Sequence, residues 1–109
     1  MLESLFGNGT VEKVLLYLEN YQEGHASEIA TTFSIRLSVI QKQLKRLEDG
    51  GIIVSHLKGR TRLYTWNPRY PFAVELHALL EKSFKFISEN DLKKYYRKRM
   101  RPRRSGKPL

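Results

Sequence analysis

A cluster of polar and basic side chains between residues 37 and 49 has the chemistry needed to bind nucleic acid. Hydroxyl and amide groups can hydrogen bond to base edges, ammonium and guanidinium groups can pair with phosphates or with guanine, and a methyl-bearing side chain can contact thymine. These candidate contacts are Ser38, Val39, Gln41, Lys42, Lys45 and Arg46. The same composition is also found on ordinary solvated helix faces, so the elements that position these side chains decide between the two interpretations.

The apolar residues of the same segment recur at helical spacing. Leu37, Ile40, Leu44 and Leu47 fall within one narrow arc at about 100° per residue, and most of the polar side chains fall on the opposite side. Gly50-Gly51 ends the pattern, because glycine tolerates the left-handed conformation that a helix stop requires. The spacing predicts a helix over 37–49 that is anchored from behind by its apolar stripe.

Two shorter helices and a hairpin are predicted around this segment. Apolar spacing indicates helices over 11–22 and 26–33, capped by Thr10 and Ser27 respectively. Runs of high strand propensity at 52–57 and 62–66 flank Lys58-Gly59-Arg60-Thr61, which is typical of a hairpin with glycine in its loop. The cations at this turn, Lys58, Arg60 and Arg62, can reach a minor groove or flanking phosphates, although charges also keep an edge strand soluble.

A further helix, about four turns long, is predicted over 71–87, with Pro71 in its first turn. Its apolar residues exceed what one small core needs, so we expect it to form a homodimer interface through Phe72, Leu76, Leu79 and Leu80. Alternatively, these side chains simply close the core of one chain. The expected class is mostly α with a small β-hairpin (α+β) and a long C-terminal helix.

Charge is distributed unevenly along the 109 residues, whose formal net charge is +9. Residues 89–109 contain nine Lys/Arg and two acids, a net +7, and residues 1–88 contain eleven Lys/Arg and nine acids, a net +2. We therefore predict one domain over 1–88 and a basic, partly disordered extension over 89–109. This extension can contact phosphates, and its Tyr95 and Tyr96 can stack on unpaired bases. Alternatively, it only keeps the protein soluble.

Residues 10–87 resemble a winged helix-turn-helix DNA-binding domain of the kind found in bacterial and archaeal ArsR-like and MarR-like transcriptional regulators. The resemblance lies in the stretches 26–30, 39–48 and 51–52, in Ile35, and in the wing Lys58-Gly59-Arg60-Thr61-Arg62-Leu63-Tyr64. The chain also resembles small winged-helix proteins in two short segments, Ser4-Leu5-Phe6-Gly7 at its start and Asn67-Pro68 after the wing. Some of those proteins are fused to nucleotidyltransferase domains.

The resemblance implies that base-reading positions fall at Leu37, Ser38, Val39, Gln41 and Lys42. Arg36 stands where family members usually carry a capping Ser or Thr. The cap can shift to Ser38, with Gln41 completing a capping box, and Ser38 is then structural. Leu37, often polar in the family, can pack inward.

Several functional classes are disfavoured by the sequence. The chain has no cysteine, and His25, His56 and His77 are widely separated, so we expect no metal site and no cofactor. No catalytic constellation is evident, so we expect a binding protein rather than an enzyme. No apolar run approaches the roughly 18 residues of a membrane span, and no signal peptide is evident, so a cytoplasmic protein is expected.

Two hypotheses for function follow from these patterns. The first is a sequence-specific regulator of transcription that binds double-stranded DNA, acts as a repressor and forms a homodimer. The second is a winged-helix accessory module that binds RNA or another protein. The sequence identifies no small-molecule effector, operator or regulated gene.

Overall fold

The computed structural model describes residues 1–97 of the chain. Six α-helices and three strands follow one another as α1 (Glu3–Phe6), α2 (Gly9–Tyr21), β1 (Glu23–His25), α3 (Ala26–Phe33), α4 (Leu37–Asp49), β2 (Ile53–Lys58), β3 (Thr61–Trp66), α5 (Ala73–Ser83) and α6 (Glu89–Tyr95), with a 3-10 turn at Phe84–Phe86. The expected class, mostly helical with a β-hairpin, is confirmed.

Helix α2 is the centre of the domain, because every residue from Val14 to Asn20 is buried. It begins one residue before the predicted Thr10 cap. Asn8 is the N-cap, and its side-chain oxygen accepts from the backbone N–H of Val11 at 2.8 Å. The apolar residues of α3 and α4 pack on α2, and Ile29, Ile40 and Leu44 are fully buried in this core.

The sheet is antiparallel with the strand order β1-β3-β2, so β3 is its central strand. Strands β2 and β3 pair from Ile53↔Trp66 to Lys58↔Thr61, which leaves Gly59 and Arg60 as a two-residue loop. Gly59 has a φ of 68°, the positive value that the first residue of a type II′ turn requires. Strand β1 was not predicted from the sequence, and it pairs with β3 at Glu23↔Thr65 through His25↔Leu63.

The end of β3 is fastened to the core by two side chains. The indole N–H of Trp66 donates to the carbonyl of Leu18 at 3.1 Å, and the side-chain amide of Asn67 donates to the carbonyl of Gly51 at 2.8 Å. Asn67 therefore joins the end of the hairpin to the end of α4, where Gly51 adopts the left-handed φ of 77° expected of a helix stop.

The C-terminal helix is shorter than the predicted 71–87. Helix α5 ends at Ser83, and after the 3-10 turn α6 returns along the domain. The Tyr21 hydroxyl donates to the carbonyl of Tyr95 at 3.0 Å, and Tyr96 is buried in edge-to-face contact with Phe84. Burial of Tyr96 contradicts the suggestion that it stacks on unpaired bases. Residues 98–109, which include most of the basic tail, lie outside the described residues.

Candidate nucleic-acid interface

Helix α4 presents a polar face to solvent, as the sequence predicted. Ser38, Gln41 and Lys42 are exposed and form no hydrogen bond or ion pair with any side chain in residues 1–97. Lys45 is also exposed, and its ammonium group pairs with the carboxylate of Asp49 at 3.0 Å. An exposed pair one helical turn apart is worth only about 0.3–0.5 kcal/mol, so Lys45 can exchange this partner for a phosphate.

The opposite face of α4 is held by buried side chains. Ile40 and Leu44 are fully buried and Leu47 is nearly so, which fixes the helix on α2 and α3. The connection from α3 is tight because Ser34 adopts a left-handed conformation with a φ of 55°, and its N–H and that of Ile35 bond back to α3. This short turn sets the angle at which α4 leaves α3 and exposes its N-terminal half.

Two expectations about the start of α4 are wrong. The helix begins at Leu37, its N-cap residue is Arg36 without a side-chain cap, and the Ser38 hydroxyl is not used as a cap. Leu37 does not join the buried stripe but is 42% exposed in the first turn of the helix. Val39 is 37% exposed on the flank that faces away from the hairpin.

Arg46 is exposed on α4 one helical turn after Lys42, but it has a partner within the chain. Its guanidinium group donates to the carbonyl of Phe6, at the end of α1, with an Nη2–O distance of 3.2 Å. At about 100° per residue, positions 39 and 46 share the flank next to α1, whereas positions 41 and 48 share the flank next to the hairpin. The sequence placed Arg46 in the DNA-facing set, and this stays a prediction for a guanidinium group that already donates one hydrogen bond to Phe6.

The hairpin is oriented relative to α4 by a chain of side-chain hydrogen bonds. The Ser55 hydroxyl donates to the Glu48 carboxylate at 2.7 Å, and the Arg62 guanidinium donates to the Ser55 oxygen at 3.1 Å. Desolvation raises the pKa of the neighbouring Tyr64 hydroxyl; Glu48 raises it further and Arg62 opposes the rise. Arg62 is thus tethered toward α4, whereas Lys58 and Arg60 are exposed at the tip without a side-chain partner in residues 1–97.

A cleft of about 230 Å³ lies between the N-terminal ends of α3 and α4 and the hairpin. Four of its lining residues are contacts predicted from the sequence: Leu37, Gln41, Arg60 and Arg62. Five other lining residues were not predicted as contacts: His25, Ala26, Ser27, Thr61 and Tyr64. Their positions follow from the pairing of β1 with β3, which brings the His25 imidazole Nδ1 within 3.1 Å of the Arg62 carbonyl oxygen.

Ser27 does not cap α3, as the sequence suggested. The helix begins at Ala26, one residue before Ser27, and the N-cap residue is His25. The backbone N–H of His25 donates to the Glu28 carboxylate at 3.0 Å. Ser27 is therefore exposed in the first turn of α3, at the border of the cleft.

The predicted dimer residues occupy different environments in the structure. Phe72 is 62% exposed, but Leu80 is fully buried in the core and Leu76 packs partly against it, whereas Leu79 is half-buried. Leu80 therefore closes the core of a single chain, as the alternative interpretation held, and its assignment to an interface is wrong. The exposed apolar side chains around this helix are Phe72, Val74 and Phe86.

No group of three His, Asp or Glu side chains suited to a metal ion occurs within residues 1–97. His77 instead contacts the buried Glu19, with 2.5 Å between Nδ1 and a carboxylate oxygen. Burial raises the pKa of Glu19; the neighbouring Glu81 adds to this rise and His77 opposes it. Within the same residues, no helix has both the length and the apolar character to cross a membrane.

This arrangement, a helix pair joined by a tight turn and followed by a hairpin, is the winged helix-turn-helix fold. Solved structures share it. The Bacillus subtilis YusO protein is 19% identical, with 84% of this chain and 73% of that chain covered and a TM-score of 0.59. The Streptococcus pyogenes adhesin competence repressor AdcR is 16% identical, with coverage of 84% and 78% and a TM-score of 0.55.

Lactococcus lactis ZitR, in a structure of its complex with DNA, is 17% identical over 77% of this chain and 65% of that chain, with a TM-score of 0.50. At such identities these likenesses define the fold. No protein-family model matches the sequence, and no curated protein matches it.

Proposed function

We propose that this chain is a sequence-specific regulator of transcription of the ArsR-like or MarR-like type, which binds double-stranded DNA and represses by occupying promoter DNA. One observation carries the proposal: the exposed side chains Ser38, Gln41 and Lys42 are free of intramolecular side-chain partners on a helix whose other face is firmly buried. The likeness of the fold to ZitR, which has been solved with DNA, supports it.

In the proposed complex, the N-terminal half of α4 enters the major groove. Gln41 is suited to an adenine and Lys42 to a guanine, and Leu37 and Val39 can contact thymine methyl groups. Lys45 holds a phosphate at the rim of the groove. Because the cleft beside Gln41 opens between α4 and the hairpin, Lys58, Arg60 and Arg62 contact the flanking backbone or the adjacent minor groove.

We further propose that two chains pair around α5. The exposed Phe72, Val74 and Phe86 support this, because large apolar side chains left exposed on a small domain favour contact with a second chain. A two-fold dimer would present two α4 helices to half-sites about one DNA turn apart. Sedimentation should give a dimer for the wild type and a shift toward monomer for Phe72→Ser, and a monomer for both at micromolar concentration would contradict pairing.

The basic tail is proposed to contribute phosphate contacts without reading sequence. Deleting residues 98–109 removes six Lys/Arg, so binding to any duplex should weaken and its dependence on salt should become shallower. Filter binding over a range of salt concentrations measures the slope. An unchanged slope would show that the tail does not touch the backbone.

The proposal is tested by comparing duplex DNA with single-stranded RNA. A regulator of this type should select particular duplexes from a random pool and bind them at least about a thousandfold more tightly than scrambled duplex. Its binding to single-stranded RNA should be no tighter than its binding to scrambled DNA. Tighter binding to RNA, or no selection from the DNA pool, would instead favour an accessory module for RNA or protein.

A further inference from the structure

An acid, a hydroxyl and a guanidinium group form a hydrogen-bonded chain between α4 and the hairpin. The Ser55 hydroxyl donates to the Glu48 carboxylate at 2.7 Å, and Nη1 of Arg62 donates to the Ser55 oxygen at 3.1 Å. Glu48 lies in the last turn of α4, Ser55 on β2 and Arg62 on β3. We call these three residues the hairpin tether, because they connect all three elements through side chains alone.

The chemistry of the three groups allows only one direction of hydrogen bonding in the tether. A guanidinium group has no lone pair, so Arg62 must donate, and the single hydroxyl hydrogen of Ser55 is then committed to Glu48. Ser55 and Arg62 lie on the same face of the hairpin, because Leu57 is two residues after Ser55 and pairs directly with Arg62. Both bonds include a charged group and are therefore stronger than neutral ones. The tether thus holds the Arg62 side chain in one arrangement.

Glu48 is an acid on the flank of α4 that faces the hairpin, where its charge repels phosphates. Its presence there is explained if the carboxylate serves Arg62 through Ser55. The electrostatics of Tyr64 agree, since Glu48 raises the pKa of that hydroxyl beyond the main effect of desolvation and Arg62 lowers it. Arg62 and Tyr64 both line the cleft between α4 and the hairpin. Both charges of the tether therefore lie close to the space that the proposed complex fills with DNA.

We propose that Glu48 and Ser55 are positioning residues, which hold Arg62 and the hairpin in the orientation at which α4 and the hairpin contact one duplex together. This inference rests on the proposed function. A free arginine side chain loses rotamer freedom when it binds, whereas a tethered one has already lost that freedom, so the tether lowers the cost of forming the specific complex. Arg62 keeps further N–H groups for DNA. A scrambled duplex is held through phosphates in no fixed orientation and gains nothing from the tether.

The first test compares two neutral replacements of Glu48 for binding to the selected duplex and to a scrambled duplex. Glu48→Gln and Glu48→Ala remove the same charge, but the glutamine amide oxygen still accepts from the Ser55 hydroxyl. We expect Glu48→Gln to keep most of the preference for the selected duplex and Glu48→Ala to lower this preference by about 2- to 12-fold. Asp49→Ala is the control and should keep the preference, because Asp49 is the neighbouring acid of α4 but pairs with Lys45.

The second test changes the middle of the tether. Ser55→Ala should lower the preference as Glu48→Ala does, and Ser55→Thr, which keeps the hydroxyl, should retain it. In an Arg62→Ala background, Ser55→Ala should cause no further loss, whereas a residue needed only for folding would still cause one. In the DNA-free protein, nitrogen relaxation of the Arg62 side chain should show an ordered guanidinium group in the wild type and a mobile one in Ser55→Ala.

Equal preference in Glu48→Gln and Glu48→Ala overturns the proposal, and so does a further loss from Ser55→Ala in the absence of Arg62. Tighter binding of both Glu48 variants to every duplex, with unchanged preference, would assign Glu48 to charge repulsion alone and also overturn it. Should Ser55→Ala fail to fold, the pair of Glu48 variants decides. If the wild type selects no duplex, the proposed function fails, and the order of Arg62 in the DNA-free protein alone decides whether the tether holds it.

Discussion

Replacing Leu80 with alanine tests whether this side chain belongs to the core of one chain or to a dimer interface. Leu80 is fully buried within one chain, so the change removes apolar atoms from the core whether or not the protein pairs. Three buried carbons at about 0.8 kcal/mol each amount to about 2.4 kcal/mol, and the remaining cavity raises the expected loss to about 3–4 kcal/mol. For a domain of this size, such a loss is a large part of the total stability.

Urea unfolding at a fixed protein concentration measures this loss, and Leu57→Ala is the matched control. Leu57, on β2, is the same residue type but is 65% exposed and lies outside the proposed interface, so its truncation should change the free energy of unfolding by no more than about 0.5 kcal/mol. Sedimentation of Leu80→Ala should show the oligomeric state of the wild type for the fraction that remains folded. A loss below about 1 kcal/mol combined with dissociation into monomers would refute the placement of Leu80 in the core.

Two further changes test the core beneath the interface. A raised pKa of Glu19 means that the folded protein binds its proton more tightly than the unfolded chain, so its contribution to stability falls as pH rises above the ordinary value of 4.5. When pH is raised from about 4 to about 7, the free energy of unfolding measured in urea should therefore fall less for Glu19→Gln than for the wild type. Parallel plots of this free energy against pH for the two proteins would contradict the prediction. Gly24→Ala places a Cβ 2.7 Å from the Tyr17 ring and should lower the free energy of unfolding by about 1–3 kcal/mol. In the control Gly50→Ala, the nearest atom to the added Cβ is 3.5 Å away, so the loss should be much smaller. Equal losses would argue against the close packing of β1 on α2.

The elements with long periodic patterns could be predicted from the sequence. Helix α4 spans the predicted 37–49 because three buried leucine or isoleucine side chains repeat at helical spacing and two glycines end it. Strands β2 and β3 lie within a residue or so of the predicted runs. In each of these elements, local propensity and tertiary packing favour the same conformation, so pattern alone is sufficient.

Features defined by contacts between distant residues could not be predicted. Strand β1 has three residues and exists only because β3, some 40 residues later, offers a free edge. The direction of Arg46 depends on the Phe6 carbonyl, which no spacing rule reveals. The helix caps were misassigned because Asn8 and His25 lie within two residues of Thr10 and Ser27, and boundary residues of similar chemistry cannot be ranked without the backbone.

The most direct test of the account concerns Lys42. The measurement compares wild type and Lys42→Ala for binding to the duplex that the protein selects and to a scrambled duplex, with Lys85→Ala, an exposed cation on the 3-10 turn, as control. We predict that the preference of Lys42→Ala for the selected duplex falls by about 5- to 150-fold, equivalent to about 1–3 kcal/mol for one base contact, and that Lys85→Ala keeps the wild-type preference. An unchanged preference in Lys42→Ala would contradict the claim that this face of α4 reads DNA.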